Sequence, residues 1–406
     1  MAALAATSRR RKTEPEAVVA MVVEEKWECY VLADACTRMN KLNQFKDCKL
    51  LLSGDFKSLS NNLRCLYWHG YPLKSLPLNF HPEQLVELNM SYSRVEQLWK
   101  GLKMYQQLKF VKLSYSQHLI ETPGFSGASN LRRLILEGCT SLSKVHPSIG
   151  DLNKLVFLNL EGCENLKSFL RSICMESLEI LTLSGCSKLK KFPEVQGCMK
   201  HLSELSLEGT AIKGLPLSIE YLTGPVLLNL RNCQNPESLP SFVARRNSTL
   251  WALATASFFG LRSLRKLNLS DCRILEGAIP NDFSSLLIGI FRSEQKQFCY
   301  STFKPQQLSQ LKGLGLGYCK RLQSLPELPS SIEEIDAHDC TVMENILCPS
   351  SVYRSKECGG LRFTFSNCFR LSENESSNFV AATLNQITCG LGISNSSPRI
   401  NISEVI

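Results

Sequence analysis

The side chains in this 406-residue sequence that could ligate a metal, carry a redox couple or act as nucleophiles are dominated by 18 cysteines and six histidines. Their spacing argues against all three roles. Cys139, Cys163 and Cys186 are about one structural repeat apart, and Cys233, Cys272, Cys319 and Cys340 continue the column, with Thr210 taking one place in it. Neighbours in such a column would stand roughly 5 Å apart along a stack, one per strand, without the second ligand that a short Cys or His spacing provides. No CxxC or HExxH is present, and the histidines (His69, His81, His118, His146, His201, His338) are scattered. The chain also lacks a GxxxxGK[ST] loop to cradle phosphates and a GxSxG nucleophile turn. The expectation is a chain with no cofactor, no metal and no enzymatic activity, in which the cysteines pack as small hydrophobes with a weak donor.

The element that spaces the cysteines is a repeat. Leucine is about one residue in six, and aligning the chain on itself gives LxxLxLxxCxxLxxLP. Its first position falls at Leu63, Leu85, Leu108, Leu131, Leu155, Leu178, Leu202, Pro225, Leu264, Leu311 and Ile332. The first eight starts are 22 to 24 residues apart, which is the period of a leucine-rich repeat. Positions four and six alternate with polar neighbours, as in Leu134 and Leu136 or Leu158 and Leu160, so each repeat opens with a short strand buried on one face. The trailing Leu-Pro of Leu76-Pro77, Leu215-Pro216, Leu239-Pro240 and Leu325-Pro326 returns the chain along the back, where proline blocks ladder pairing. One repeat cannot bury its own apolar face, so stability comes from stacking.

The fold class is therefore α/β: a leucine-rich-repeat solenoid, a curved horseshoe with a parallel sheet on its concave face and irregular or short helical segments on its convex side. The expected organisation is a disordered segment over 1–30, an N-terminal cap over 31–62, about 11 repeats over 63–343 and, over 344–406, the truncated start of a post-repeat β-sandwich domain. The spacing stretches to 39 residues after Pro225 and 47 after Leu264. These intervals read as an insertion at 241–260 and a decayed or replaced repeat at 281–307, where Arg292 takes the place of a second core residue.

Positions three, five and seven of LxxLxLx face the concave side, because side chains alternate along a strand. They carry Glu87, Glu137, Glu161, Glu204, Glu208, Glu334 and Asp336 against Lys112, Arg133, Arg231 and Lys266. Among these charges stand Tyr67, Phe110, Ile135, Phe157, Ile180 and Leu227, with Asn159 in the same set. Every solenoid has a solvated concave face, but large apolar groups there have no folding role, and anchors ringed by charge suit protein recognition. The candidate protein-binding set is Tyr67, Phe110, Lys112, Arg133, Ile135, Glu137, Phe157, Asn159, Glu161, Ile180, Glu204, Glu208 and Arg231.

The formal net charge of +9 is concentrated away from that net acidic face, for example in the KLKK of residues 188–191. A nucleic acid is thus not the expected ligand of the concave side. No apolar run approaches the 18 residues of a membrane span, and no secretory signal follows the basic run at Arg9–Lys12. The expected compartment is the cytoplasm or the nucleus, with reduced thiols and with the six Asn-x-Ser/Thr sequences as chance matches.

Whole phrases of the repeats carry a family likeness. LRCLYWHGYPLKSLPLNFHPEQLVELNMSYSRVEQLWKGLK (63–103), LEGCTSLSKVHPSIG (136–150), LSGCSKLKKFPEV (183–195), LEGTAIKGLPLSIEYLTG (207–224) and CKRLQSLPELPSSIEEIDAHDC (319–340) resemble the repeats of plant intracellular immune receptors. The class is the TIR, nucleotide-binding, leucine-rich-repeat one, of the tobacco mosaic virus resistance protein N-like kind, and the likeness covers about 60–371. It implies a disease-resistance module whose partner is a pathogen effector or a host or intramolecular domain. The family's NAD-hydrolysing TIR domain and ADP/ATP-binding switch domain have no counterpart here, so no catalytic residue carries over. LRFTFSNCFRLSENESSN (361–378) resembles the start of a β-sandwich that follows the repeats in this class, with Phe363 and Phe365 expected to cap the last repeat or stay exposed. Two other classes fit the repeat pattern: an F-box-type ubiquitin-ligase substrate adaptor, and a secreted receptor or inhibitor of which GAIP (277–280) is the one local sign. The oligomeric state is not legible.

Overall fold

In the computed structural model the described residues are 59–233 apart from 198, 213 and 225, then 263–272, 310–346 apart from 326–328 and 330, and 362–370, with the backbone of four short strands upstream. They belong to two compact units, Met1–Leu189 and Lys190–Ile406.

The first unit holds β1 (Ala20–Val22), β2 (Cys29–Leu32), β3 (Gln44–Asp47), β4 (Leu50–Ser53), β5 (Cys65–Trp68), β6 (Glu87–Asn89), β7 (Phe110–Lys112), β8 (Arg133–Ile135), β9 (Phe157–Asn159), β10 (Ser172–Ile173) and β11 (Ile180–Thr182). Its main sheet runs β1-β3-β5-β6-β7-β8-β9-β11, and the pairings are parallel. The register stacks like positions: Val111 opposite Leu134, Leu134 opposite Leu158, Leu158 opposite Leu181. The leucines at positions one, four and six, such as Leu155, Leu158 and Leu160, have no exposed surface. Burying one such side chain stabilises by about 1.5–3 kcal/mol, which is why a three-residue strand suffices once its neighbours are in place. The ladder also includes β1 and β3, so parallel pairing extends upstream of Leu63 into the stretches read from sequence as a tail and a cap.

The second unit holds β12 (Glu194–Val195), β13 (Glu204–Ser206), β14 (Val226–Asn229), β15 (Leu264–Asn268), β16 (Gly313–Gly315), β17 (Ser324–Leu325), β18 (Glu334–Asp336), β19 (Asn345–Ile346) and β20 (Arg362–Thr364). Its main sheet runs β13-β14-β15-β16-β18-β20, again parallel. Despite the long intervals in sequence, β14 pairs directly with β15 and β15 directly with β16, with one register irregularity at Val226/Leu227. Residues 241–260 and 281–307 themselves lie outside the described residues.

Arg362–Thr364 pairs in parallel with Glu334–Asp336, which adds a strand to the ladder within 344–406. FTFSNC supplies the spacing of LxLxxC with phenylalanine in the leucine places, and Cys368 is buried like most of the column cysteines. Phe365 is half-buried.

The exit from each strand has a fixed construction. Position eight is left-handed at Gly70, Tyr92, Tyr115, Gly138, Gly162 and Gly185 in the first unit, and at Gly209, Asn232, Asp271, Tyr318, Asp339 and Asn367 in the second. That turn delivers position nine against the repeat before it. Cys139 Sγ donates to Leu113 O at 3.2 Å, Cys163 to Leu136 O at 3.3 Å and Cys186 to Leu160 O at 3.3 Å. In the second unit Cys233, Cys272, Cys319, Cys340 and Cys368 donate in the same way to Leu207, Leu230, Leu269, Leu316 and Ala337. Ser116 Oγ makes the equivalent bond to Met90 O at 3.2 Å, so the column selects a small donor, with sulfur the common choice. The described cysteines are free thiols.

Burial pushes the Cys139 and Cys186 thiols from near 9 up to about 12, and Cys163 moves the same way, because a thiolate in this column would lose its water. Above pH 9 an unfolded chain gives up protons that the folded chain keeps, so stability should fall between pH 9 and 12, by at most about 1.4 kcal/mol per thiol per pH unit. Urea titrations across that range should show the slope, and the Cys139→Ser, Cys163→Ser, Cys186→Ser triple variant should reduce it, leaving the part due to the column thiols of the second unit. Peptide mapping after alkylation at neutral pH should find these three thiols unmodified until the chain is denatured.

A second outcome follows from position eight. At Gly162 an added Cβ meets only glycine backbone at 3.6 Å, whereas at Gly138 it runs into the Tyr115 ring. Gly162→Ala should cost about 1–2 kcal/mol for the left-handed conformation alone. Gly138→Ala should cost more, and the excess should vanish in a Tyr115→Gly background, as a double-mutant cycle in urea would read.

Candidate protein-recognition face

The residues anticipated from sequence divide between the two units. Tyr67, Phe110, Lys112, Arg133, Ile135, Glu137, Phe157, Asn159, Glu161 and Ile180 belong to the first; Glu204, Glu208 and Arg231 belong to the second.

In the first unit, strand register assembles position three into a row of Glu87, Phe110, Arg133, Phe157 and Ile180, and position five into a row of Tyr67, Asn89, Lys112, Ile135, Asn159 and Thr182. Phe110, Phe157, Ile135 and Ile180 are half-buried, because neighbouring rows cover their flanks while their tops face solvent. The Arg133 guanidinium lies 4.9 Å from the centre of the Phe157 ring, a cation on an aromatic face. Tyr67 donates its hydroxyl to the Glu87 carboxylate, tying together the first two strands of the patch. Asn159 differs from the expectation of a presented side chain. It is buried, and its Oδ1 accepts from Glu161 N at 2.8 Å, an Asx-type turn that sets the strand exit. Asn229 and Asn268 make the same bond to Arg231 N and Ser270 N.

The last row of this face was missed in the sequence reading. His69, Tyr92 and Tyr115 form a file of rings with centroids 4.6 and 5.0 Å apart, the two tyrosines nearly parallel at 21°. Tyr115 Oη donates to Glu137 Oε1 at 2.5 Å. That carboxylate acceptor holds the phenol proton and raises the Tyr115 pKa. The signal was available: position eight is glycine in most repeats of this unit, and tyrosine at two of them stands out once the left-handed turn is known.

In the second unit the outer face is dominated by paired charges. Arg231 Nε approaches Glu208 Oε1 at 3.8 Å, while Asn229 Nδ2 donates to Glu208 Oε2 at 3.0 Å. Lys266 reaches across Gly313 to Glu334 at 2.8 Å. Exposed pairs of this kind contribute about 0–1 kcal/mol each, so they shape the surface more than they hold it together. Glu204 is exposed and makes no ion pair among the described residues. Glycines at positions three and five of β16 leave a shallow hollow bordered by Leu227, Asn268 and Asp336.

Among the described residues there is no group of three or more His, Cys, Asp or Glu arranged for a metal, and no helix long and apolar enough to cross a membrane.

Comparison with known proteins agrees with this construction. The Leucine Rich Repeat family models match residues 84–103 and 263–286. Disease resistance protein RPS4B of Arabidopsis thaliana is 33% identical over 342 residues, covering 83% of this chain and 26% of that protein. Disease resistance protein RPP2A of the same plant is 44% identical over 194 residues, 48% of this chain and 15% of that protein. TMV resistance protein N of Nicotiana glutinosa is 31% identical over 342 residues, covering 70% of this chain and 30% of that protein. Among solved structures, a Leptospira interrogans leucine-rich-repeat protein (LIC12759) is 17% identical with a TM-score of 0.31, covering 78% of this chain and 92% of that one. YopM from Yersinia enterocolitica is 15% identical with a TM-score of 0.34, covering 77% and 63%. The match covers only 15% to 30% of the length of these plant relatives. With the parallel ladder, the inward leucines and the donor column in place, this chain is a leucine-rich-repeat protein whose repeats match the repeat region of plant TIR-NB-LRR disease-resistance receptors.

Proposed function

We propose that the chain acts as the protein-recognition module of a plant disease-resistance receptor, reading a pathogen effector or a host domain through the outer sheet face of its first unit, from Tyr67 to Ile180. The observation that carries this reading is the row of Phe110, Arg133 and Phe157, with the Arg133 guanidinium over the Phe157 ring. Half-exposed aromatic rings with an arginine laid on one of them are the composition of interface centres, and the core is already closed beneath them by Val111, Leu134 and Leu158. Support for the immune setting comes from the relatives, since the proteins named above are disease-resistance proteins, which favours this reading over a ubiquitin-ligase adaptor or a secreted inhibitor. In this reading the module works in the cytoplasm or nucleus and performs no catalysis, so an NADase assay on this chain reads zero.

The test joins this chain to the TIR and nucleotide-binding portions of a relative and scores effector-triggered cell death in leaf tissue. Reversing charge at Arg133→Glu together with Glu161→Lys should abolish the response at unchanged protein accumulation. In direct binding to the responding effector, the same pair should weaken affinity by about tenfold or more. Unchanged affinity would remove this face from the recognition surface.

A further inference from the structure

The strand exits of the first unit carry a feature that folding does not require. At position eight, Gly70, Gly138, Gly162 and Gly185 take the left-handed turn with no side chain, while Tyr92 and Tyr115 take it with φ of 59° and 60°. A bulky residue there is disfavoured against glycine, yet both rings present a large share of their surface to solvent, 54% and 39%. With His69 they make a stack that ends at Tyr115. Beyond Tyr115 the line of position-eight residues is glycine: the ring covers Gly138, and at Gly162 nothing but glycine backbone is near. This lane is bordered on one side by the carboxylates of position seven. Glu137 gives one oxygen to the Tyr115 hydroxyl and keeps the other, and Glu161 has no hydrogen bond or ion pair from its side chain among the described residues.

A flat open ring face beside two carboxylates selects a planar cation. A nucleobase would stack equally well, but its phosphates would be repelled by Glu137 and Glu161. An apolar side chain would desolvate the carboxylates without compensation. A guanidinium meets both demands, stacking on the ring while donating to the carboxylates, and the same unit already holds one on a ring at Arg133 and Phe157. We infer that this rim is a docking point for an arginine side chain of a protein partner, whose guanidinium continues the His69, Tyr92, Tyr115 stack over Gly162 beside Glu137 and Glu161. The inference rests on the protein-recognition reading and narrows it to the chemistry of one contact.

The experiment uses the full chain and a fluorescent peptide with three arginines separated by glycine and serine, its citrulline counterpart and a single-stranded oligothymidine, at low salt. The arginine peptide should bind saturably, with citrulline and oligothymidine about tenfold weaker or worse. Tyr92→Gly with Tyr115→Gly installs the residue that the neighbouring repeats use, so it should keep or raise the melting temperature while lowering arginine-peptide affinity about tenfold. Tyr92→Phe with Tyr115→Phe should retain binding, and Glu137→Gln with Glu161→Gln should lose it. The proposal is overturned if citrulline binds as well as arginine, if oligothymidine binds better, if the glycine variant binds like the parent, or if sedimentation shows that the rim instead pairs two copies of this chain. A loss of cell death in the Arg133 and Glu161 reversal, with no effect of the tyrosine-to-glycine pair there or on peptide binding, would sink this contact and leave the recognition reading standing.

Discussion

The hydrogen bond from position nine to the carbonyl at position six of the preceding repeat is the contact on which the other features hang. A parallel strand of three residues cannot run on, because the chain must leave the sheet and return along the back within 22 to 24 residues. Leaving abruptly strands the carbonyls at the strand end, and buried carbonyls without donors cost more than a hydrogen bond returns. A left-handed residue turns the chain by one step, and the next side chain, if small, falls within reach of the neighbouring repeat's carbonyl. Cysteine fits because its sulfur fills the core like a methyl group and still offers a proton. The same requirement explains why Ser116 occupies that column and why the thiols ionise so reluctantly, whereas Thr210 donates its hydroxyl to Leu207 O of its own repeat.

Much of this is legible in the linear sequence because the fold repeats it. The period, the inward Leu134 and Leu158, and the ninth-position cysteines can be read from spacing alone, since each repeat is an independent trial of the same pattern. What spacing does not show is conformation. Gly138, Gly162 and Gly185 look like ordinary loop glycines until their shared positive φ identifies position eight as the turn, and only then do Tyr92 and Tyr115 become unusual. Asn159 was read from strand alternation as a presented side chain, but its short amide finds a backbone N–H two residues on and turns inward. Alternation predicts which face a Cβ leaves from, and local side-chain hydrogen bonding then decides where the polar atom ends. The extension of the ladder to β1, β3 and β20 was missed for a related reason. Those strands carry Phe45 opposite Leu66 and Phe363 opposite Ile335, so a search for leucine passed over them.

The separation of roles within a repeat has a consequence for recognition. Positions one, four, six and nine are fixed by the core and the strand exit, and most of them are leucine or a small donor. Positions three and five answer to solvent and to their row neighbours, so Phe110, Arg133 and Phe157 can change with small effect on the stack. A surface of this kind can acquire a new ligand by substitution without a search for a new fold. The ladder holds the rows at strand spacing, which limits the conformational entropy lost when a partner binds.

Position eight breaks that separation, and this is where fold and recognition constrain each other most directly. A tyrosine there has to satisfy a left-handed backbone as well as a surface role, and it reaches sideways over the next repeat: the Tyr115 ring covers Gly138 and leaves no room for a Cβ. The glycine at 138 is therefore required twice, once by its own φ of 69° and once by its neighbour's ring. Replacing Tyr115 would relax the second requirement and leave the first. Substitutions along this rim should thus be coupled between adjacent repeats, whereas those at positions three and five of well-separated strands should be close to additive. The position on this surface most constrained against substitution is then Gly138 beneath the Tyr115 ring, and the chemistry of the rim is set by backbone geometry as much as by contact with a partner.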